Sequence, residues 1–131
     1  MKTKKAIFPG SFDPFTIGHD YIIQKSLDVF DEVIIGIGVN TSKQYLFDLD
    51  KRIAHIQEIY KNNDRVKVST YEGLTTDFCS KVDASHIVRG LRNSIDFEYE
   101  KAIAEMNFMM KKIETVFFMS RDEVGAINAS I

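Results

Sequence analysis

Five short runs of β-branched and other apolar residues recur along the chain, at Lys5–Pro9, Glu32–Val39, Arg65–Tyr71, Ser85–Arg89 and Thr115–Met119, with a helix-length segment between each pair. The intervening segments carry helical periodicity. Tyr21–Phe30 sets Ile23, Leu27 and Phe30 on one face, and Leu49–Tyr60 does the same with Ile53, Ile56 and Tyr60. Two further helices fit Thr75–Val82 and Asp96–Lys112, the second turning Phe97, Ile103 or Ala104, and Phe108 towards a core. Neighbouring parallel strands need a crossover of a dozen or more residues, which a helix supplies. The order β-α-β-α-β-α-β-α-β therefore predicts an α/β fold, a Rossmann-like five-stranded parallel sheet with helices on both faces. The second and fifth runs are apolar over most of their length, which predicts strands covered on both sides. With 131 residues there is room for one such core and not for two, so residues 1–131 read as a single domain.

Open parallel sheets bind ligands at the carboxyl ends of their strands, near the point where strand order reverses. The first such loop, "PGSFDPFTIGH" over residues 9–19, holds both prolines of the chain, two of its glycines and a histidine. Pro9 ends the first strand, and Gly10 lets the backbone of Ser11 and Phe12 approach a ligand without a Cβ in the way. Asp13-Pro14 suits a turn, and Thr16 is a good N-cap. Gly18 and His19 then fall in the first helical turn, where unpaired N–H groups and the positive end of the dipole favour a phosphate. The loop is neither a Walker sequence nor a G-x-G-x-x-G fingerprint, and Gly36-Ile-Gly38 is explained by helix packing against the sheet. By its residues alone the loop also fits a plain β-α turn whose Ser, Thr and His cap a helix.

Charge decides how widely such an anion site can extend. The net charge is -2, with 44% hydrophobic and 27% charged residues, so a general nucleic-acid or membrane surface is not expected and any anion site is local. No apolar stretch approaches the roughly 20 residues that span a bilayer, and "MKTKKAIFPGSFD" does not resemble a secretory signal. The single cysteine, Cys79, cannot form an internal disulfide and reads as a packed thiol, so a cytoplasmic protein is expected. His55 and His86 have no partners at metal-ligand spacing; the first reads as surface and the second as structural. Met106, Met109 and Met110, with Phe108, suit core or interface packing.

"GSFDPFTIGH" resembles the T/H-x-G-H loop of the nucleotidyltransferase superfamily, and "RGLRNSIDFEYE", residues 89–100, is similar to a second motif of its phosphopantetheine adenylyltransferase branch. "FDEVIIGIGVNTSK" matches as well, and the resemblance covers essentially the whole chain. It implies transfer of AMP from ATP to 4'-phosphopantetheine, giving dephospho-coenzyme A and pyrophosphate. It also implies roles residue by residue. His19 would donate to the α-phosphate in the transition state, and Ser11 with the Ser11–Phe12 backbone would touch both phosphate groups. Lys43 and Arg89 match the acceptor-phosphate positions and Thr75 a contact to the pantetheine arm. Arg92 matches the ATP-phosphate arginine, so His19, Lys43 and Arg92 form the expected catalytic set. The ATP side would include Gly90, Leu91, Glu100, Val124, Ile127, Asn128, Ala129 and Ser130, while Asp96 and Glu98 suit the acidic first turn of a helix. Carboxylates in this stretch can also orient the nearby arginines. Mg²⁺ is expected only as carried by ATP, with no protein metal site, and the resemblance implies a hexamer and coenzyme A as a feedback ligand.

The match breaks at the end. Relatives carry I-S-S-[ST] where this chain has Ile127-Asn128-Ala129-Ser130, so two hydroxyls are replaced while backbone donors remain. Family members continue past the position of Ile131 through further helices, which are expected to be missing here. Two other readings stay open from the sequence: a nucleotidyltransferase with another acceptor, such as nicotinamide mononucleotide or glycerol 3-phosphate, and a non-catalytic nucleotide-binding domain.

Overall fold

The structure, a computed structural model, describes residues 3–40 and 42–120. Five strands, β1 (Lys5–Gly10), β2 (Glu32–Gly38), β3 (Val66–Tyr71), β4 (His86–Leu91) and β5 (Glu114–Met119), form one sheet in the order β3-β2-β1-β4-β5. Every pairing is parallel. Four helices connect them, α1 (Ile17–Leu27), α2 (Leu49–Ile59), α3 (Thr75–Val82) and α4 (Ser94–Lys111). This is the doubly wound architecture that the sequence predicts, with the order reversing between β1 and β4. None of the described helices is long and apolar enough to cross a membrane.

The period-2 alternation of the strands builds two cores. Ala6 and Phe8 of β1, Val33, Ile35 and Ile37 of β2 and Val88 of β4 point to the face covered by α1 and α2, meeting Ile22, Ile23, Ile56 and Tyr60. Ile7, Ile34 and Ile87 point to the other face and meet Phe78 and Cys79 of α3. Cys79 is thus the packed thiol the sequence implies. Position 36 shares this second face with Ile34 by strand alternation, and a Cβ there would come within 3.0 Å of the Phe78 ring and 3.2 Å of the Tyr71 ring.

Two expectations need correction. β5 is not covered on both sides: it is an edge strand, paired among the described residues with β4 alone, and none of its residues is buried. Helix α4 does not send Phe97, Ile103 and Phe108 into a core; all three are exposed, Ala104 is half-buried, and Phe97 meets the Phe117 ring of β5 at 6.0 Å between centroids. The physical reason is shared. An apolar stripe at helical spacing needs a surface to bury against, and among the described residues β5 offers α4 only one flank.

The first helix starts earlier than its apolar period suggests, at Ile17 rather than Tyr21, because Thr16 caps it. Phe30 falls beyond its end yet remains in the core.

Two outcomes test this packing. Gly36→Ala is expected to lower unfolding free energy by about 1–3 kcal/mol through overpacking. Gly38→Ala, whose nearest neighbour lies 3.6 Å away, should change it by less than about 0.5 kcal/mol; urea titration distinguishes the two. Burial also pushes the Cys79 thiol up to about 11 from its ordinary 9.0. A raised thiol contributes stability that is present below the unfolded value and lost as pH rises towards the folded one. Stability should therefore fall between about pH 9 and pH 11, and Cys79→Ala should flatten part of that decline.

Candidate active site

β1 and β4 pair only at Ala6↔His86 and Ile7↔Ile87, although both strands run on beyond that point. At the carboxyl ends of this pair opens a cavity of about 470 Å³, lined among others by Gly10, Ser11, Phe12, His19, Arg89, Gly90, Arg92 and Glu100. Parts of both sequence motifs, about 80 positions apart in the chain, therefore share one space.

His19 is placed by a capping box. Thr16 Oγ1 accepts the His19 N–H at 3.3 Å, and the His19 ring accepts the Thr16 N–H at Nδ1, 2.9 Å away. A ring nitrogen that accepts from a backbone N–H carries no proton of its own, so in the neutral imidazole the proton sits on Nε2. The capping reading and the ligand reading of this histidine are therefore compatible: one nitrogen closes the helix start and the other is a donor. The ring is packed by Phe12 and Phe15 at 5.0 and 5.2 Å between centroids. Phe12 itself has φ 50, a left-handed conformation rarely adopted by a bulky residue. Its buried ring lies across Gly10, where a Cβ would come within 3.0 Å of it. Gly10 therefore serves the packing of Phe12 as well as the opening of the backbone.

Arg89 lies on β4 with three of its donors committed. Nε and Nη2 form a fork onto Glu100 Oε1 and Oε2 at 2.8 and 2.9 Å, and Nη1 donates to the Pro9 carbonyl at 2.7 Å. Glu100 is thus placed to orient an arginine, and its side chain is only 11% exposed. Arg92 donates through its backbone N–H and through Nε to Asp96 Oδ2, both at 3.1 Å. The Arg92 guanidinium beside Asp96 holds that carboxyl below the usual carboxylate range. Asn93 caps α4 by accepting the Asp96 N–H at 2.9 Å, so the helix begins two residues before the predicted Asp96.

The remaining predicted residues occupy neighbouring spaces. Lys43 lines a cavity of about 420 Å³ together with Gly10, Ser11, Tyr45 and Tyr71. Thr75, bonded to the Tyr71 hydroxyl at 2.8 Å, lines another of about 250 Å³ that shares Gly10, Arg89 and Glu100 with the first. Leu91 is buried and does not line these cavities, while Gly90 does, pressed close to Ile22 of α1. Val124, Ile127, Asn128, Ala129 and Ser130 lie outside the described residues. His55 is exposed, and His86 opens β4 with Nδ1 bonded to Ser85 Oγ at 2.7 Å.

Sequence reasoning missed two residues. Asp13, read as part of a turn, accepts the N–H of Leu46 and, at 2.7 Å, that of Phe47. Arg52 is buried in α2 and donates to the Ser11 and Phe47 carbonyls. Its signal was present, since Arg52 stands four and eight residues before Ile56 and Tyr60 on the apolar stripe.

The cytidylyltransferase-like family model matches residues 7–130. Among curated proteins, one named phosphopantetheine adenylyltransferase from Flavobacterium psychrophilum is 52% identical, and one of the same name from Christiangramia forsetii is 48% identical. Each match covers 98% of this chain and 85% of the relative. The chain belongs to the phosphopantetheine adenylyltransferase family. Solved structures agree on the fold. The lipopolysaccharide core biosynthesis protein of Thermoplasma volcanium aligns with a TM-score of 0.64 at 18% identity, covering 91% of this chain and 98% of that one. A bifunctional NMN adenylyltransferase/ADP ribose pyrophosphatase from Francisella tularensis aligns with a TM-score of 0.68 at 18% identity, covering 89% of this chain and 38% of that one.

The fork at Arg89 is testable without any ligand. Lysine cannot bind Glu100 through two parallel bonds while also reaching the Pro9 carbonyl. Arg89→Lys is therefore expected to lower unfolding free energy by about 1–3 kcal/mol in urea titration. An unchanged midpoint would show that the fork contributes nothing to the fold.

Proposed function

We propose that this chain transfers AMP from ATP to 4'-phosphopantetheine, forming dephospho-coenzyme A and pyrophosphate by in-line displacement without a covalent intermediate. The observation that carries the reading is the meeting of Ser11, His19, Arg89 and Arg92 around one cavity, in a chain about half identical to relatives of that name. The acceptor nucleophile is already an anionic phosphate oxygen, so no base has to remove a proton. What the protein must supply is alignment of two polyanions and neutralisation of the charge that builds on the α-phosphate and the departing pyrophosphate.

Each side chain then has a role that its surroundings support. His19 donates from Nε2 to an α-phosphate oxygen, its tautomer set by the Thr16 N–H on the opposite nitrogen. Ser11 and the Ser11–Phe12 backbone contact phosphate. Arg92 receives the ATP phosphates. Arg89, held by Glu100 and Pro9, offers its remaining N–H groups to the acceptor phosphate between the first cavity and the one lined by Thr75. Lys43 reaches the same acceptor phosphate from the neighbouring loop as a compact cation on a long stem. Gly90, Val124, Ile127, Asn128, Ala129 and Ser130 belong to the proposed ATP side, and the buried Leu91 backs it without lining the cavity.

Mg²⁺ would enter on the ATP phosphates and neutralise part of their charge. The donor set fits that arrangement, because the carboxylates lining the cavity are already engaged: Asp13 by two backbone N–H groups, Asp96 by Arg92 and Glu100 by Arg89. Coenzyme A contains the acceptor's own arm and so fits as a feedback ligand of the same site. The exposed apolar residues of α4, among them Tyr99, Met106 and Met109, suit an interface between copies of a homo-oligomer, with the hexamer of the family as the proposed state. A cytoplasmic location accords with this metabolic role.

Incubation with ATP, Mg²⁺ and 4'-phosphopantetheine should give dephospho-coenzyme A, identified by mass. Nicotinamide mononucleotide and glycerol 3-phosphate in its place should give no adenylated or cytidylated product with ATP or CTP. His19→Ala should slow turnover about a hundredfold while leaving the thermal midpoint within a few degrees. Turnover that survives this substitution would remove His19 from the mechanism.

A further inference from the structure

Arg52, on α2, is 5% exposed, and a guanidinium that deep needs partners for its donors. Nε donates to the Phe47 carbonyl at 3.0 Å and Nη1 to the Ser11 carbonyl at 2.9 Å, while Cζ lies over the Tyr45 ring, 4.1 Å from its centre. These partners belong to two different loops. Ser11 stands in the β1–α1 loop, and Tyr45 and Phe47 stand in the β2–α2 loop that also carries Lys43.

Asp13 joins the same two loops with the opposite polarity. From the first loop its carboxylate accepts the N–H of Phe47 at 2.7 Å and that of Leu46. At Phe47, then, an acid from one loop takes the N–H and an arginine from α2 takes the carbonyl. The Lys43 ammonium lies 5.5 Å from the centre of the same Tyr45 ring that Arg52 covers. Small shifts in a positioning shell cost much more in rate than in stability, because reacting groups must meet within a narrow geometry.

We propose that Asp13 and Arg52 are positioning residues that lock the Lys43 loop to the Ser11 loop, so that the acceptor-phosphate cation and the first-loop donors move as one unit. The kinetic consequence rests on the proposed reaction; the mechanical coupling does not.

The test uses the full chain with Arg52→Lys and Asp13→Asn. Lysine cannot bond both carbonyls and stack on the ring, and asparagine can accept only through one oxygen. In hydrogen exchange without substrates, segments 10–16 and 42–48 should both exchange at least about tenfold faster in either variant, while β1 and β2 keep their protection. Acceleration confined to the substituted residue's own loop, or spread evenly through the core strands, would overturn the coupling. In a kinetic cycle, Lys43→Ala should lower kcat/KM for 4'-phosphopantetheine by about tenfold or more in the parent but by less than about threefold in Asp13→Asn, since a displaced lysine has little left to lose. An equal loss in both backgrounds would overturn the proposal even if both variants are slow. If the parent forms no dephospho-coenzyme A, the reaction assignment fails by itself, and the exchange pattern alone decides for or against the lock.

Discussion

The site depends on a seam in the sheet. β1 stays paired with β2 through Gly10↔Ile37, and β4 with β5 through Leu91↔Met119, yet β1 and β4 stop pairing after Ile7↔Ile87. Pro9 sits just beyond that point and has no N–H to continue a ladder. Its carbonyl is instead taken by the side chain of Arg89, which reaches across from β4 and is itself fixed by Glu100 of α4. A gap that would leave a strand carbonyl unpaired is thereby closed by a cation that lines the cavity. The fold and the proposed chemistry draw on the same guanidinium.

A second brace comes from α2. Near its start Arg52 holds the Ser11 carbonyl, and just past its end the Tyr60 hydroxyl donates to Asp20 at 2.5 Å, one residue after His19. Burial, together with the Asp20 carboxylate, pushes the Tyr60 phenol far above its ordinary range, so it stays a donor. The first loop and the first turn of α1 are thus both tied to one helix that contributes no predicted catalytic residue. At the opposite end of the sheet Arg65 works similarly, donating to the carbonyls of Leu27, Phe30 and Asp31. One planar guanidinium fork can satisfy several carbonyls at once, so a single arginine, buried like Arg52 or exposed like Arg65, can define a connecting segment.

The sheet and its helices were legible because periodicity is local: alternate residues of β1 and β2 divide between two cores, and Ile56 and Tyr60 follow the helical stripe. Where the pattern misled, at β5 and at the apolar stripe of α4, the missing information was what lies alongside, which no local window contains. The cap formed by Thr16 and His19 could be read within four residues. Asp13 could not, since its partners stand 33 and 34 positions away and its own neighbourhood looks like an ordinary turn. Glu100 is intermediate: it was legible as a carboxylate able to orient an arginine, but its pairing with Arg89 across a helix start needed the fold.

Gly10 lies on the wall of all three cavities, the one around His19, the one at Lys43 and the one at Thr75. That one residue therefore borders three spaces at once, and a Cβ added there would come within 3.0 Å of the Phe12 ring. A side chain at position 10 would press on the Phe12 ring and on all three spaces together, so each space is more readily reshaped alone through the residues that line it and not the others.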